Sequence, residues 1–559
     1  MPTVAESLHG HAAASSTMTY PESRVLIIMT GGTICMRPSA DGLVPMDGFL
    51  EHAMAPRPSF NDPAPPTTLP AYKDGKKLTL PSLRTPVSAY SRHIRYSVLE
   101  FTPLLDSSSI SSMGWTEIAQ TVKENYHLFD GFVVLHGTDS LAYTASALSF
   151  MMSDLGKPVI LTGSQASIFA LQSDAVDNLL GSLIIAGTFL VPEVCLFFHH
   201  TLFRGNRTTK VSASAFEAFA SPNAEPLARV TSLGVNVAWS IVLRPTRIAE
   251  FNITKYLDTE HVACFRIFPG IMPEMLDSVL RVPNLRGLIL ETFGMGNAPG
   301  GVDGSLTQVI RDAVARGIVV VNVSQCTNGF VSPLYAPATA LGRAGVVFGH
   351  DLTTEAALTK LSYLLAVEGL TTADIQAQMS QSLRGEMTEL TSPVFSHPAG
   401  ALGESPAPRN AFVAPVATPV GAPPLPAVGA LRGLTAVESS FTALGYAIRN
   451  GDVASVRGVL VGGEATHSYE MLKTADYAGN TAVHLAAVGP NTEVLRELLL
   501  HGASVHVRNR GNNTPLFLAE KMGHVGNVKL LREAGAHFWG SEEEDKAVAA
   551  ETAAKAAAQ

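Results

Sequence analysis

Three short runs in the first half of the chain are apolar almost throughout: 24–29 (RVLIIM), 131–135 (GFVVL) and 157–161 (KPVIL). A strand with one wet face alternates apolar and polar residues, whereas a run apolar at successive positions is buried on both faces, as in a parallel sheet flanked by helices. Each run ends in a turn of small and hydroxyl residues: Thr30-Gly31-Gly32-Thr33, His136-Gly137-Thr138-Asp139-Ser140 and Thr162-Gly163-Ser164-Gln165. Stretches with helix-like patterning at 115–126 and 141–155 fit between them, and the alternation predicts an α/β layered domain. A second, smaller set follows, with strands at 286–290 and 317–323 and helices at 305–316, 355–366 and 372–381. The segment 216–250 has no clear period and is expected to connect the two units. The expected organisation is a disordered N-terminal segment at 1–23, one α/β domain at 24–215, the connection at 216–250 and a second α/β domain at 251–390.

The most membrane-like stretch, 179–198, contains Ser182, Thr188, Pro192 and Glu193. It reads as a buried helix, a turn at Val191-Pro192-Glu193 and a buried strand, not as a bilayer span. From 391 to 435 the chain turns rich in Pro, Ala and Gly, a composition expected for an extended linker. Beyond it the pattern repeats. Thr481-Ala482-Val483-His484-Leu485-Ala486 and Thr514-Pro515-Leu516-Phe517-Leu518-Ala519 start 33 residues apart, and His501-Gly502-Ala503 and Ala534-Gly535-Ala536 share that offset. This period and helix start resemble ankyrin repeats. An earlier copy at 442–463 is offset by 39 residues, so about six are inserted near 466–473. Three units at 436–540 are about the minimum for a stable stack. The tail at 541–559 is acidic, then rich in Ala.

Among the 559 residues, Lys+Arg number 39 against Asp+Glu 48, a net charge of −9 that argues against a phosphate-binding face and against nucleic acid as partner. The four cysteines are far apart with no CxxC pair, which points to free thiols in a reducing compartment and away from a zinc cage. The first twenty residues have neither a basic n-region nor an apolar h-region. A cytoplasmic protein is expected.

Loops at the carboxyl ends of parallel strands converge on one crevice, which would bring Thr33, Thr138 and Asp139 together. A threonine hydroxyl is a poor nucleophile until a base takes its proton. A lysine serves as that base when burial or neighbouring charge favours its neutral form. Lys210, in Arg204-Gly205-Asn206-Arg207-Thr208-Thr209-Lys210, is the candidate. Asp139 would orient the lysine or hold a substrate ammonium group, and Gly31 and Gly32 let the backbone approach a substrate and offer N–H groups to an oxyanion. Each motif alone reads as a capped turn; the three in order, after the right elements, carry the functional reading. His199-His200 reads as a strand-end pair and not a metal site, and Gly294–Gly296 with Asn297 as a tight turn and not a nucleotide loop. Neither a metal nor an organic cofactor is expected.

The three motifs together resemble the bacterial-type L-asparaginases, most closely the cytosolic type I branch. Leu105-Asp106-Ser107-Ser108, Thr162-Gly163-Ser164-Gln165, Phe293-Gly294-Met295-Gly296-Asn297-Ala298-Pro299 and Leu383-Arg384-Gly385-Glu386-Met387-Thr388 agree, so the resemblance covers about 24–390. It implies a two-domain asparaginase fold with parallel-rich sheets flanked by helices, here followed by an all-α ankyrin stack. It implies hydrolysis of L-asparagine to L-aspartate and ammonia. Thr33 matches the threonine that forms the acyl-enzyme; Thr138, Lys210 and Asp139 match the second catalytic threonine and its activating pair. Asp106, Ser107 and Ser108 match the substrate loop, with Ser107 on the α-carboxylate, and Thr138 and Asp139 also belong to the substrate site, Asp139 taking the α-ammonium. The family completes its site across a subunit contact, so a homodimer or homotetramer is expected, with the repeats serving a protein partner or regulation.

Two departures stand out. Many relatives carry a tyrosine on the loop after the nucleophile, where this chain has Leu43; Tyr335 is the candidate replacement, and Asn297 a further candidate site residue. Cooperative type I enzymes have an arginine before the Gly-x-Gly-Asn turn, where this chain has Glu291, so homotropic activation is expected to be weak or absent. The alternative function is a lysophospholipase or transacylase acting on lipid esters, but the chain holds no G-x-S-x-G elbow.

Overall fold

The computed structural model describes residues 20–39, 42–104, 107–300, 304–333, 336–389, 436–461, 465–540, 542–543 and 546. The expected linker at 391–435, nearly all of the tail at 541–559 and all but the end of the segment at 1–23 lie outside the described residues.

Ten strands form the first sheet: β1 (Glu22–Met29), β2 (Thr67–Lys73), β3 (Lys76–Arg84), β4 (His93–Glu100), β5 (Gly131–Leu135), β6 (Val159–Thr162), β7 (Val194–Phe198), β8 (Thr201–Arg204), β9 (Ala228–Thr231) and β10 (Gly234–Val237). Their spatial order is β10-β9-β8-β7-β6-β5-β1-β4-β3-β2. The central strands β4, β1, β5, β6 and β7 are parallel, and both wings are antiparallel. The continuous apolar runs are explained by the two faces. Leu26 and Ile28 enter one core with Phe132 and Val134 under the helices Ser112–Asn125 and Leu141–Met151. Val25, Ile27 and Met29 enter the other with Val133 and Leu135 under the helix Ala175–Thr188. Each such fully buried aliphatic side chain is worth about 1.5–3 kcal/mol. A charge at Ile27, which is 0% exposed, would have no partner to offset its burial.

The second sheet is wholly parallel: β11 (Val262–Arg266), β12 (Gly287–Thr292), β13 (Val319–Ser324) and β14 (Val347–Phe348). Pro273–Leu280 and Ser305–Ala315 cover one face, and Thr354–Ala366 and Thr372–Met379 the other. The two units meet through Ser146 Oγ and Thr359 Oγ1, 2.7 Å apart, and through Arg207, which donates to Asp351 at 2.8 Å and to Thr388 at 2.9 Å.

The expectation that 216–250 merely connects the units is corrected. Phe219–Ala220 pairs with Thr209–Lys210, and β9 and β10 extend the first sheet's edge. These strands have at most four residues and are half exposed, so no continuous apolar run marks them. The 179–198 stretch is the end of the Ala175–Thr188 helix, a turn and β7; no helix among the described residues is long and apolar enough to cross a membrane. His199 and His200, at φ 45° and 61°, form the two-residue turn between β7 and β8, and among the described residues no cluster suited to a metal occurs.

From residue 436 onward every regular element among the described residues is a helix. Ala436–Arg449 with Val453–Val461, Ala482–Ala487 with Thr492–Leu500, and Pro515–Lys521 with Val525–Glu533 are the three repeat pairs. The expected insertion is an added helix, Ala465–Lys473. His484 accepts from Thr481 N–H at 3.1 Å and donates Nε2–H to Asn513 O at 3.1 Å; burial pushes it down to about 4, so it stays neutral. The stack docks on the first unit through Arg508 and Asp130, 2.8 Å apart, and through Lys157, whose Nζ donates to Phe129 O at 2.8 Å and His537 Nε2 at 2.9 Å.

Candidate active site

The strand order reverses at β1: the chain returns as β4 on one side and then crosses to β5 on the other. In open α/β sheets the crevice at the carboxyl ends of such strands is the binding place. Thr33 follows β1, Ser107 follows β4, Thr138 and Asp139 follow β5, and Gln165 follows β6.

Glycines let these loops touch. Gly32 has φ 94°, and a Cβ there would stand 2.4 Å from Gly137 N. A Cβ on Gly137 would stand 2.4 Å from Ser107 Oγ, and one on Gly163 would stand 2.4 Å from His136 O. The Thr30 N–H and hydroxyl both donate to Leu135 O, at 3.0 and 2.9 Å, fastening the first loop to β5. Thr33 then opens a single turn, Thr33–Cys35, anchored by buried Ile34 and Cys35, while Thr33 itself is half-buried. Burial pushes the Cys35 thiol up to about 12, so it is inert. No hydrogen bond to the described residues engages the Thr33 hydroxyl.

Lys210 lies on the short strand Thr209–Lys210, and its Nζ donates to Thr138 Oγ1 at 3.0 Å and to Asp139 Oδ1 at 2.8 Å. Thr138 is 8% exposed and donates to Gln165 Oε1 at 3.3 Å. Asp139 projects into solvent, its side chain 69% exposed, so one side of the pair is open to an incoming cation. His136 is structural: Nδ1–H donates to Gly137 O at 2.7 Å, Nε2 meets Thr144 Oγ1 at 3.0 Å, and burial pushes the ring down to about 4.

The structure therefore brings Ser107, Thr138, Asp139 and Lys210 together beside the Thr33 turn. Ser107 is buried and its carbonyl accepts from the Ser140 hydroxyl, whereas Ser108 is exposed. Asp106 and Tyr335 lie outside the described residues. Asn297 is in the second unit, in the Phe293–Asn297 turn, and no hydrogen bond ties it to the described residues of this cluster. Leu43 is exposed on the hairpin after Thr33. Glu291, at the end of β12, is held by Arg266 Nε at 2.6 Å and Thr354 Oγ1 at 2.7 Å.

Family comparison follows this layout. The model for "Asparaginase, N-terminal" matches residues 24–243, "Glutaminase/Asparaginase C-terminal domain" matches 261–379, and "Ankyrin repeats (3 copies)" matches 444–540. An L-asparaginase of Dirofilaria immitis is 33% identical over 531 residues, 93% of this chain and 83% of that one. The chain belongs to the asparaginase family. The asparaginase part is 43% identical to the 60 kDa lysophospholipase of Mus musculus over 66% of this chain, and this aligned part spans only 63% of the mouse protein. The crystal structure of L-asparaginase I from Vibrio cholerae superposes with a TM-score of 0.55 at 38% identity, covering 66% of this chain and 99% of that one.

Gln165 is a polar group at this candidate site that sequence reasoning missed. It sits in a motif already noted, after the third apolar run, and that position was its signal. Its backbone N–H meets Asp174 and its Nε2 donates to Ala215 O at 3.2 Å, which turns Oε1 toward Thr138.

Proposed function

We propose that this asparaginase-family chain hydrolyses L-asparagine to L-aspartate and ammonia through an acyl-threonine. The observation that carries the reading is Lys210 Nζ within hydrogen-bond reach of both Thr138 and Asp139, in the crevice onto which the Thr33 turn opens. Asp139 receives the α-ammonium, with Asp106 and Ser107 on the substrate's α-end. The Thr33 oxygen attacks the side-chain amide carbon, the C–N bond breaks, and ammonia leaves with the added proton. Water then attacks the aspartyl ester, which restores the Thr33 hydroxyl and frees L-aspartate. Thr138 and Lys210, whose amine donates to the Thr138 hydroxyl in this structure, carry the protons.

A homodimer or homotetramer in the cytoplasm is the setting we propose. The repeats dock against the first unit and leave further surface for a protein partner or regulator. The similarity to the mouse 60 kDa lysophospholipase favours lipid ester hydrolysis as a second reading. Ammonia release from L-asparagine and L-glutamine, set beside fatty-acid release from a lysophospholipid, separates the two. Turnover of an amide that disappears in Thr33→Ala supports the first; lipid turnover without amide turnover sinks it.

A further inference from the structure

The excess in the repeat array is the helix Ala465–Lys473, and its last turn contacts the catalytic unit. Tyr469 and Lys473, four positions apart, share one helix face. The rings of Tyr469 and Trp239 lie 5.5 Å apart between centroids. Arg244 Cζ stands 2.9 Å from the Tyr469 centroid, and Lys473 Nζ stands 4.2 Å from that of Trp239. These four side chains line a cavity of about 230 Å³ between the two parts of the molecule, whose remaining wall includes Phe189, Leu499 and Val505.

The charges in this cavity do not cancel. Arg247 is paired with Asp154 at 2.7 Å, and nearby Glu193 is committed to Arg204 at 2.5 Å. Arg244 and Lys473 form no salt bridge with a carboxylate among the described residues; Glu470, on the same helix as Lys473, stays beyond ion-pair distance. Among the described residues, the hydrogen-bond partners of the Arg244 guanidinium are the Trp239 carbonyl, at 3.2 Å from Nη2, and the Tyr469 side chain. Arg244 Nε and Thr188 Oγ1, on residues of the wall, are buried without a hydrogen-bond partner among the described residues. Burial lowers the Arg244 pKa, as an uncompensated cation requires.

We propose that this cavity binds a small flat organic anion, its ring against Trp239 and Tyr469 and its acidic group on Arg244 and Lys473. Aromatic walls take a planar body well, and an anion offsets the cost of leaving a half-buried guanidinium unpaired. The volume is below the roughly 300–1,000 Å³ of drug-sized pockets, so one ring or two fused rings with one acid group is the fitting size. Each part of the chain contributes one ring and one cation, so the ligand fastens the repeats to the catalytic unit and stabilises the docked arrangement by mass action.

The test titrates the full chain with indole-3-acetate, by calorimetry and by fluorescence, since Trp239 is in the wall. Tryptamine, the same ring carrying an amine, is the charge control, and saturating L-aspartate is the control for the catalytic crevice. The expected result is one saturable site per chain, indifferent to L-aspartate, blind to tryptamine, and weakened about tenfold or more in Lys473→Gln and Arg244→Gln. Lys473 lies at the rim, and an unchanged ligand-free melting temperature in Lys473→Gln establishes that its fold is kept. Failure of indole-3-acetate, benzoate and naphthalene-1-sulfonate alike to bind overturns the proposal. So does binding that L-aspartate displaces, or that Lys473→Gln leaves unchanged.

Discussion

Gly32 and Gly137 meet backbone to backbone, so closely that a Cβ on Gly32 would stand 2.4 Å from the Gly137 nitrogen. The loop carrying Thr33 and the loop carrying Thr138 and Asp139 are thereby held in one fixed relation. Gly32→Ala, strained also by its φ of 94°, has to push the loops apart. A displacement near 1 Å costs about 100-fold in turnover. Gly32→Ala and Gly137→Ala are therefore expected to lose about that much kcat while circular dichroism keeps the α/β signature. Turnover within a few-fold of wild type would show that the contact does not set the geometry.

Lys210→Met is expected to lower turnover by about 100-fold to 10,000-fold, the range for removing a proton-transfer group. Its partner Asp139 is largely in solvent, which screens the pair, so the variant should lose no more than about 1 kcal/mol of stability. Urea titration beside steady-state kinetics checks both. A large loss of stability with a small loss of kcat would make Lys210 a structural residue.

Gln165 accepts the Thr138 hydroxyl, and its amide donates to the Ala215 carbonyl, so it reaches substrate only through Thr138. Gln165→Leu, which removes one hydrogen bond worth about 1 kcal/mol, should lower kcat roughly fivefold to tenfold and leave KM nearly unchanged. A change confined to KM would move Gln165 from orienting Thr138 to binding substrate.

Much of the catalytic framework was legible because burial on both faces leaves an unbroken apolar signature, as in β1, β5 and β6. The strand β4, which leads to Ser107, was not, because His93, Arg95 and Glu100 interrupt its run. It pairs with the β2–β3 hairpin, whose turn at Asp74-Gly75, with φ 52° and 72°, was a readable hairpin signal. Ser107 itself became visible through family resemblance alone, since a serine in a loop carries no pattern. The six extra residues in the repeat period were legible as an insertion, but the role of Tyr469 and Lys473 depends on packing against a distant segment.

Acid should loosen the molecule in a defined window. Burial pushes His136 and His484 down to about 4 and His506 down to about 3. Each is therefore neutral in the folded chain while the unfolded chain takes up protons below about 6.5. Stability from these sites is complete above that pH and falls as pH drops from about 6.5 toward 3. Melting temperature against pH should show the decline, and His484→Gln should flatten it in the repeats. A profile level through that window would contradict the neutral assignment.

Glu291 occupies the position where cooperative relatives are expected to carry an arginine, and Arg266 already engages it. The rate curve for L-asparagine should accordingly be hyperbolic. A Hill coefficient well above one would restore an effector site.

The most direct measurement of the central claim is ammonia release from L-asparagine by wild type and by Thr33→Ala, across a wide substrate range. The account predicts turnover by the wild-type chain and its near-complete loss in a Thr33→Ala protein that melts at the wild-type temperature. Undiminished turnover in Thr33→Ala, or none by the wild type on either L-asparagine or L-glutamine, would contradict it.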